Sequence, residues 1–308
     1  AKVTIVPEIL FLSTFPPREC GIATYMQDLL TGLKKQFHSS FTVSVCALES
    51  NSERWEYQGD VKYILNTDYS EAFITLARLI NNDPVISIVA VQHEFGLFKN
   101  CERDFLRFLK QLTKPVIMVF HTVLPAPDSI LKALIEQMTT LSQSIVVMTH
   151  RSAEILTTDY TVDAGRITVI PHGTHLVAHA DKNELKKKYR LSGKKILSTF
   201  GLLSSGKNIE TTLEALPSII QKYPEVQFLI IGKTHPSVVK LYGEQYRHLL
   251  EEKVKTLHLE NHVLFIPQFL VLEELLEYLQ LTDIYLFTSN DRNQAVSGTF
   301  SYAISCGC

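Results

Sequence analysis

Four side chains that can move or hold protons, His93, Glu94, His121 and His172, each stand at or just after the end of a short apolar run. An imidazole titrates near neutrality and a carboxylate accepts protons or hydrogen bonds, so together they suit acid–base or hydroxyl-orienting chemistry. One such His alone is more often a hydrogen-bonded structural group. Their shared place at run ends is what points to a site. A second constellation is "GLLSSGKN", in which Gly201, Gly206 and Lys207 match the phosphate-loop pattern up to its last position. Asn208 stands where a magnesium-binding hydroxyl is required. No apolar run ends in Asp: Asp283 precedes its run, and the run 226–231 ends in Gly-Lys. A nucleoside-triphosphate hydrolase, the alternative from another class, therefore fits poorly. The physics of the loop survives that rejection, because backbone N–H groups at a helix start and the Lys207 ammonium attract an anion. Ser297, Gly298 and Thr299 offer a second helix start, and two anion sites in one domain suit a diphosphate held without a metal. The third stretch is "FPPRECGIATY". Its prolines stiffen the exit from an apolar run and cannot continue a ladder. Gly21 permits a close backbone approach or a positive φ where a helix begins.

These residues need a frame that brings run ends together. Apolar runs at 9–13, 41–47, 85–91, 116–121, 144–148 and 167–170 read as buried strands. Helical patterns at 22–35, 70–81, 102–112 and 128–141 lie between them. A second series has strands at 195–200, 226–231, 263–266 and 284–287, with helices at 209–223, 236–257 and 272–281. Such alternation predicts α/β architecture with doubly wound parallel sheets, whose ligands bind at the carboxyl ends of the strands. The Lys-rich polar stretch 178–193 divides the series into domains 1–180 and 181–308.

Composition bounds the function classes. The chain has 308 residues, 45% of them hydrophobic, enough to bury roughly 75% of its unfolded surface without disulfide staples. A net charge of −2 excludes nucleic-acid binding by bulk charge. No apolar run is long enough to span a bilayer. Five cysteines without metal-ligand spacing read as free thiols in a reducing compartment, which predicts a cytoplasmic protein. Cys306 and Cys308 read as small apolar residues at a helix end.

The stretches "FPPRECGIATY", "QHEFGLF", "FHTVLP", "VIPHGTH", "TFGLLSSGKNIETTLEAL", "IIGKTHP" and "QAVSGTFSYAISCG" occur in this order. With them the chain resembles, over essentially its whole length, the group 1 (family 4) glycosyltransferases of GT-B fold. The resemblance implies two Rossmann-like doubly wound domains facing across a cleft. The second is apparently truncated, since the chain stops at "SYAISCGC" where further βα units are expected. A longer natural chain or self-association would then cover its apolar flank. It also implies retaining, metal-independent transfer of a hexose from a nucleotide-diphosphate sugar to a saccharide or other hydroxyl acceptor. GDP-mannose and UDP-sugars both stay open as donors, and no cofactor is needed beyond the donor. The donor would sit on the second domain, with the acceptor side on the first. Gly21 would lie against the diphosphate or donor sugar, and His121 near the reacting carbon. Lys207 matches the family's diphosphate-binding Lys, beside Gly201, Ser297, Gly298 and Thr299. His172 stands where the family often has Asn. Leu202 stands where an Arg is usual. Gln294 and Tyr302 occupy the places of two Glu residues that contact donor sugar and ribose. His121, Gln294 and Glu94 are thus the catalytic candidates, and Tyr302 joins the donor-binding set. A non-catalytic sugar-nucleotide-binding or assembly protein, and an epimerase of the same fold, are the alternatives.

Overall fold

The computed structural model describes residues 6–38, 40–291 and 296–308. Two compact units divide at His172 and Gly173. The first is a seven-stranded parallel sheet: β1 (Glu8–Ser13), β2 (Thr42–Glu49), β3 (Val61–Asn66), β4 (Ile86–His93), β5 (Val116–Phe120), β6 (Ser144–Val147) and β7 (Ile167–Val169), in the order β3-β2-β1-β4-β5-β6-β7. Its helices are α1 (Gly21–Phe37), α2 (Ser70–Asn82), α3 (Phe95–Phe98), α4 (Glu102–Gln111), α5 (Ser129–Thr140) and α6 (His150–Thr158). The second unit orders β8 (Lys195–Phe200), β9 (Val226–Ile231), β10 (Val263–Ile266) and β11 (Ile284–Tyr285) as β10-β9-β8-β11. Around them lie α7 (Lys182–Lys188), α8 (Ile209–Ile220), α9 (Pro236–Tyr242), α10 (Gln245–Thr256), α11 (Leu272–Leu281) and α12 (Gly298–Ser305).

Strand periodicity of two fills both faces of each sheet. Along β1, Leu10 and Leu12 enter one core with Val89, Val91, Met118 and Phe120. Phe11 enters the other with Val45, Ala47 and Ala90. In the second sheet Leu197, Phe228 and Ile230 face one core, and Ile196, Leu229 and Ile231 the other. Helices cover these faces with apolar stripes, as α1 does with Ala23, Met26 and Leu30. Side-chain caps start several of them: Asp128 for α5, Thr149 for α6, Asp181 for α7 and Ser297 for α12.

Most expected elements are present, with instructive exceptions. β3 is not among the expected strands: Lys62 breaks its apolar residues, and only Leu65 of them is buried. The pattern 236–257 is two helices, interrupted at Gly243, whose φ of +61 ends α9. The polar stretch 178–193 contains α7 and belongs to the second unit. Its Lys186 is buried and pairs with Asp283 at 2.6 Å, while Asp283 also accepts from the Ile196 amide at 2.7 Å. Burial alone would raise the Asp283 pKa. The Lys186 bond, the Ile196 amide and the charges of Lys186 and Lys182 outweigh it and hold the carboxyl below its usual range. A lysine that looks like surface in the sequence thus pins α7 to the β8–β11 edge.

Both strand orders reverse direction at one place, between β1 and β4 in the first sheet and between β8 and β11 in the second. Crossovers leave the sheet on opposite faces there, so the carboxyl ends of those strands frame a crevice.

Asp283→Ala is expected to cost about 3 kcal/mol by urea denaturation, because it strands the buried Lys186 charge. Adding Lys186→Met should recover most of that loss.

Candidate functional site

At the switch point of the first sheet, β1 ends in Ser13 and β4 in His93, and the loops beyond them carry the expected residues. The loop after β1 contains a cis Pro16–Pro17 bond. Arg18 ties it to the β2–β3 connection by a 2.8 Å pair with Glu53 and by lying 5.4 Å over the Trp55 ring. The Cys20 thiol accepts from the Ala23 amide at 3.4 Å and contacts the Thr14 hydroxyl at 3.3 Å, which starts α1. Gly21 opens that helix. It is not among the glycines with positive φ, so conformational relief is not its role. What it offers is space, since no protein atom lies within 4 Å of where a Cβ would stand.

His121 follows β5. Its amide donates to the His93 carbonyl at 3.0 Å, and its Nε2 lies 2.8 Å from Gln92 Oε1. Tyr25 of α1 packs edge-on to the His121 ring at 5.0 Å and 5.1 Å from the His172 ring. Tyr25, His121 and His172 therefore form one cluster. Desolvation first, and then the charge His172 could carry, push the His121 pKa down to about 4. The ring is neutral at ordinary pH.

His93 and Glu94 stand at the same strand exit with other duties. His93 is buried in a box of aromatic rings, stacked on Phe98 at 5.6 Å and flanked by Phe95, Phe105 and Phe120. Burial, then the neighbouring His121, lowers its pKa to about 3. Glu94 accepts from the Phe95 amide at 2.9 Å and from the Thr122 hydroxyl at 2.7 Å. One oxygen starts α3 and the other holds the segment after His121, so Glu94 braces the loop that carries the imidazole.

In the second unit, β8 and β9 continue to pair beyond their ends. The Gly201 amide donates to the Ile231 carbonyl at 3.0 Å, and Leu203 donates to the Lys233 carbonyl at 2.8 Å. Gly201 and Gly232 take φ of +129 and +128, and a Cβ on Gly232 would lie 2.0 Å from the Gly201 oxygen. Chain then passes through a 3-10 turn, Ser205–Lys207, into α8. The turn is held from β11's side: Thr288 donates its hydroxyl to the Lys207 carbonyl at 2.8 Å, and the Asn290 amide donates to the Gly206 carbonyl at 3.0 Å.

This arrangement brings the two predicted helix starts together. Measured from the position a Cβ would take on Gly201, Lys207 Nζ is 3.4 Å away and Thr299 Cγ2 is 3.1 Å away. Ser297 caps α12, accepting from the Phe300 amide at 3.3 Å, and its hydroxyl meets that of Thr299 at 2.8 Å. Gly298 is the first residue of α12. Lys207 Nζ has no hydrogen-bond or ion-pair partner among the described residues, and desolvation lowers its pKa. Tyr302 lies a turn further along α12. It is buried, and its hydroxyl is 3.2 Å from His175 Nε2. Gln294 lies outside the described residues. Among those residues, no cluster of three or more His, Cys, Asp or Glu side chains could hold a metal ion. Gln92, Tyr25, Gly232 and Thr288 were not singled out in the sequence. A Gly directly after a buried strand, as in "IIGK", was the one available signal.

The chain that carries these two switch points, one rich in imidazoles and one with an ammonium beside a helix start, is similar to known proteins over almost its whole length. The family model described as Glycosyltransferase Family 4 matches residues 20–178, and the one described as Glycosyl transferases group 1 matches residues 181–306. The chain belongs to the family 4, group 1 glycosyltransferases, and its fold is GT-B. The alpha-monoglucosyldiacylglycerol synthase of Streptococcus pneumoniae is 23% identical over 313 residues, covering 94% of this chain and 67% of that protein. Among solved structures, Anabaena HepE in complex with UDP and glucose has a TM-score of 0.69 at 16% identity, over 98% of this chain and 79% of its own. Sucrose-phosphate synthase of Thermosynechococcus elongatus reaches 0.73 at 16% identity, with the same shares. As a member of its family, the chain is a retaining glycosyltransferase that uses a nucleotide sugar. No helix among the described residues is long and apolar enough to cross a membrane.

Gly232→Ala is expected to destabilise the second unit by about 3 kcal/mol or more, since both the carbonyl contact and the positive φ oppose a side chain. Differential scanning calorimetry would show it as a lowered transition.

His93 and His121 bind protons at about 3 and about 4 in the fold, against 6.5 for an unperturbed His. Between those values the unfolded chain holds more protons than the native one, so stability present above pH 6.5 is lost as pH falls toward 4. Urea midpoints from pH 7 to 4 should track this fall. His93→Phe, which suits the aromatic box, should flatten part of it.

Proposed function

We propose that this protein transfers a hexose, with retention and without a metal ion, from a UDP-sugar to a hydroxyl of a saccharide or other acceptor, in the cytoplasm. The observation that carries the reading is Lys207: a largely desolvated ammonium with no counter-charge among the described residues, beside Gly201 and the start of α12. Such a group favours an anionic ligand strongly, because the anion replaces lost solvation and adds charge-assisted hydrogen bonds. The Ser297–Thr299 helix start supplies amide donors in the same place. When the sugar departs, negative charge grows on the diphosphate, where a fixed ammonium and helix dipole stabilise it most. Gly201 allows a phosphate to approach the backbone, and Gly21 is a further candidate for the diphosphate.

His121 serves the sugar. A ring that stays neutral does not oppose positive charge developing at the reacting carbon, yet it can still hydrogen-bond a sugar hydroxyl. Gln294 is the further candidate for sugar hydroxyls, and His172 and Tyr302 for the donor. Between the two donor classes, UDP-sugars are supported by the HepE neighbour, whose complex holds UDP and glucose, and by the glucosyl chemistry in the name of the streptococcal relative.

Leu202 in place of the family's usual Arg, and a Tyr302 hydroxyl already facing His175, favour a second reading: a protein that binds sugar nucleotides without transferring them. Titration calorimetry and a turnover assay separate the two. Lys207→Ala is expected to weaken UDP and UDP-hexose binding by about tenfold or more while leaving uridine binding unchanged. Equal losses for uridine and UDP would refute the assignment of Lys207 to the diphosphate. Tight binding without any hydrolysis or transfer would favour the second reading.

A further inference from the structure

We propose that Gln92 is a positioning residue for His121: its amide oxygen accepts the Nε2–H of the imidazole and so leaves Nδ1 as the lone pair available to a sugar hydroxyl. The inference rests on the reading of His121 as the group that meets the sugar, and it concerns a residue buried behind that group.

The geometry begins with the strands. His121 is held by β4 at two points, through its amide to the His93 carbonyl at 3.0 Å and through its ring to Gln92 Oε1 at 2.8 Å. Both contacts come from consecutive residues of one strand, so neither the backbone nor the ring of His121 can turn without disturbing the end of β4. Nδ1 makes no hydrogen bond within the described residues. An amide oxygen only accepts, and this obliges the ring to carry its proton on Nε2.

The cost of having an amide here is visible. Gln92 is 0% exposed, and its Nε2 is buried with no partner. A Leu of similar size would leave no stranded donor. Ser13, also 0% exposed, has a buried and unpartnered Oγ. Ser13 and Gln92 each follow the last registered pair of β1 and β4, Leu12 and Val91. His93 Nδ1 is orphaned beside them. Unsatisfied polar atoms thus gather at the switch point, where a purely structural core would have none. Packing does not account for Gln92. Its one made bond, to His121, does.

The choice of an amide over a carboxylate also has a chemical reason. A carboxylate at the same distance would draw a second proton onto the ring, and the resulting imidazolium has no lone pair. An uncharged acceptor orients the ring and selects its tautomer without charging it, as outer partners do for metal-bound imidazoles.

The test uses the full chain labelled with 15N-histidine, with the His121 ring signals assigned through His121→Asn. In the wild type at pH 7, the His121 ring should show a slowly exchanging Nε2–H and an unprotonated Nδ1. Gln92→Leu should lose the slow exchange of that proton. It should also lower kcat about tenfold, with the donor KM within about twofold of wild type. Gln92→Glu keeps an acceptor oxygen and should retain the ring N–H signal. Melting transitions of both variants confirm that they are folded. A wild-type ring protonated on Nδ1, or a Gln92→Leu ring whose Nε2–H stays protected, overturns the proposal. So does an unchanged kcat in a variant whose ring signature is lost. If the wild type turns over no nucleotide sugar, the functional reading fails, and the ring signature alone decides whether Gln92 orients His121.

Discussion

The second unit of this protein depends on how closely two peptide backbones can approach where β8 and β9 leave their sheet. Gly232 lies against the Gly201 carbonyl so tightly that a single methyl group would overlap it. Because these residues lack side chains, the chains go on pairing past the strand ends, through Leu203 and Thr234. The Gly232 carbonyl is in turn held by Arg247 of α10 at 2.8 Å. The surroundings of Lys207 follow from this contact. The 3-10 turn begins from a fixed place, Lys207 folds back over Gly201, and Thr299 closes the other side. The phosphate-loop likeness of "GLLSSGKN" is thus a likeness of parts: glycines, a lysine and a helix start are brought together, with Asn208 where the pattern has a hydroxyl.

The first unit solves a different problem, which is to hold an imidazole uncharged at the mouth of a sheet. It does so by desolvation. Phe95, Phe98, Phe105 and Phe120 surround His93, and the same strand ends carry His121. Glu94 has the chemistry of an acid or base, and here one of its oxygens holds the start of α3 and the other the loop that follows His121. The strand exits therefore hold His121 against Tyr25, with polar groups buried behind it. Unsatisfied atoms at Ser13, Gln92 and His93 mark where stability is given up for that placement.

The two switch points share a logic. In each sheet, one strand neighbours two others whose crossovers leave on opposite faces, so the exits of that pair stay uncovered by helices. The parallel ladder satisfies backbone groups up to the last strand residue, and the loops beyond supply amides and side chains. Arg18, Glu53 and Trp55 clamp one such loop, and Thr288 and Asn290 clamp the other. Rigid strands thereby hand their precision to short loops.

Much of this was legible in the residues. Apolar runs of four to eight residues marked the strands 195–200, 226–231 and 263–266 to the residue, because strands buried on both faces leave no ambiguity of period. The placing of the imidazoles and the Gly-Lys loop at strand exits was also legible, since local order alone puts such groups at carboxyl ends. The edge strand β3 was not legible, because Lys62 interrupts a short apolar stretch of which only Leu65 is buried. Nor was the break at Gly243, where a helical pattern continues through a residue whose positive φ ends α9. Division of labour among neighbours was hidden most deeply. His93 and Glu94 stand in sequence beside Gln92 with equal chemical promise. Only the alternation of strand faces and the packing of distant phenylalanines make His93 a core residue, Glu94 a brace and Gln92 the partner of His121. Sequence determined which groups arrive at the switch points, because that follows from local periodicity. Tertiary structure decided what each one does there, because burial, ring orientation and hydrogen-bond partners come from residues far apart in the chain.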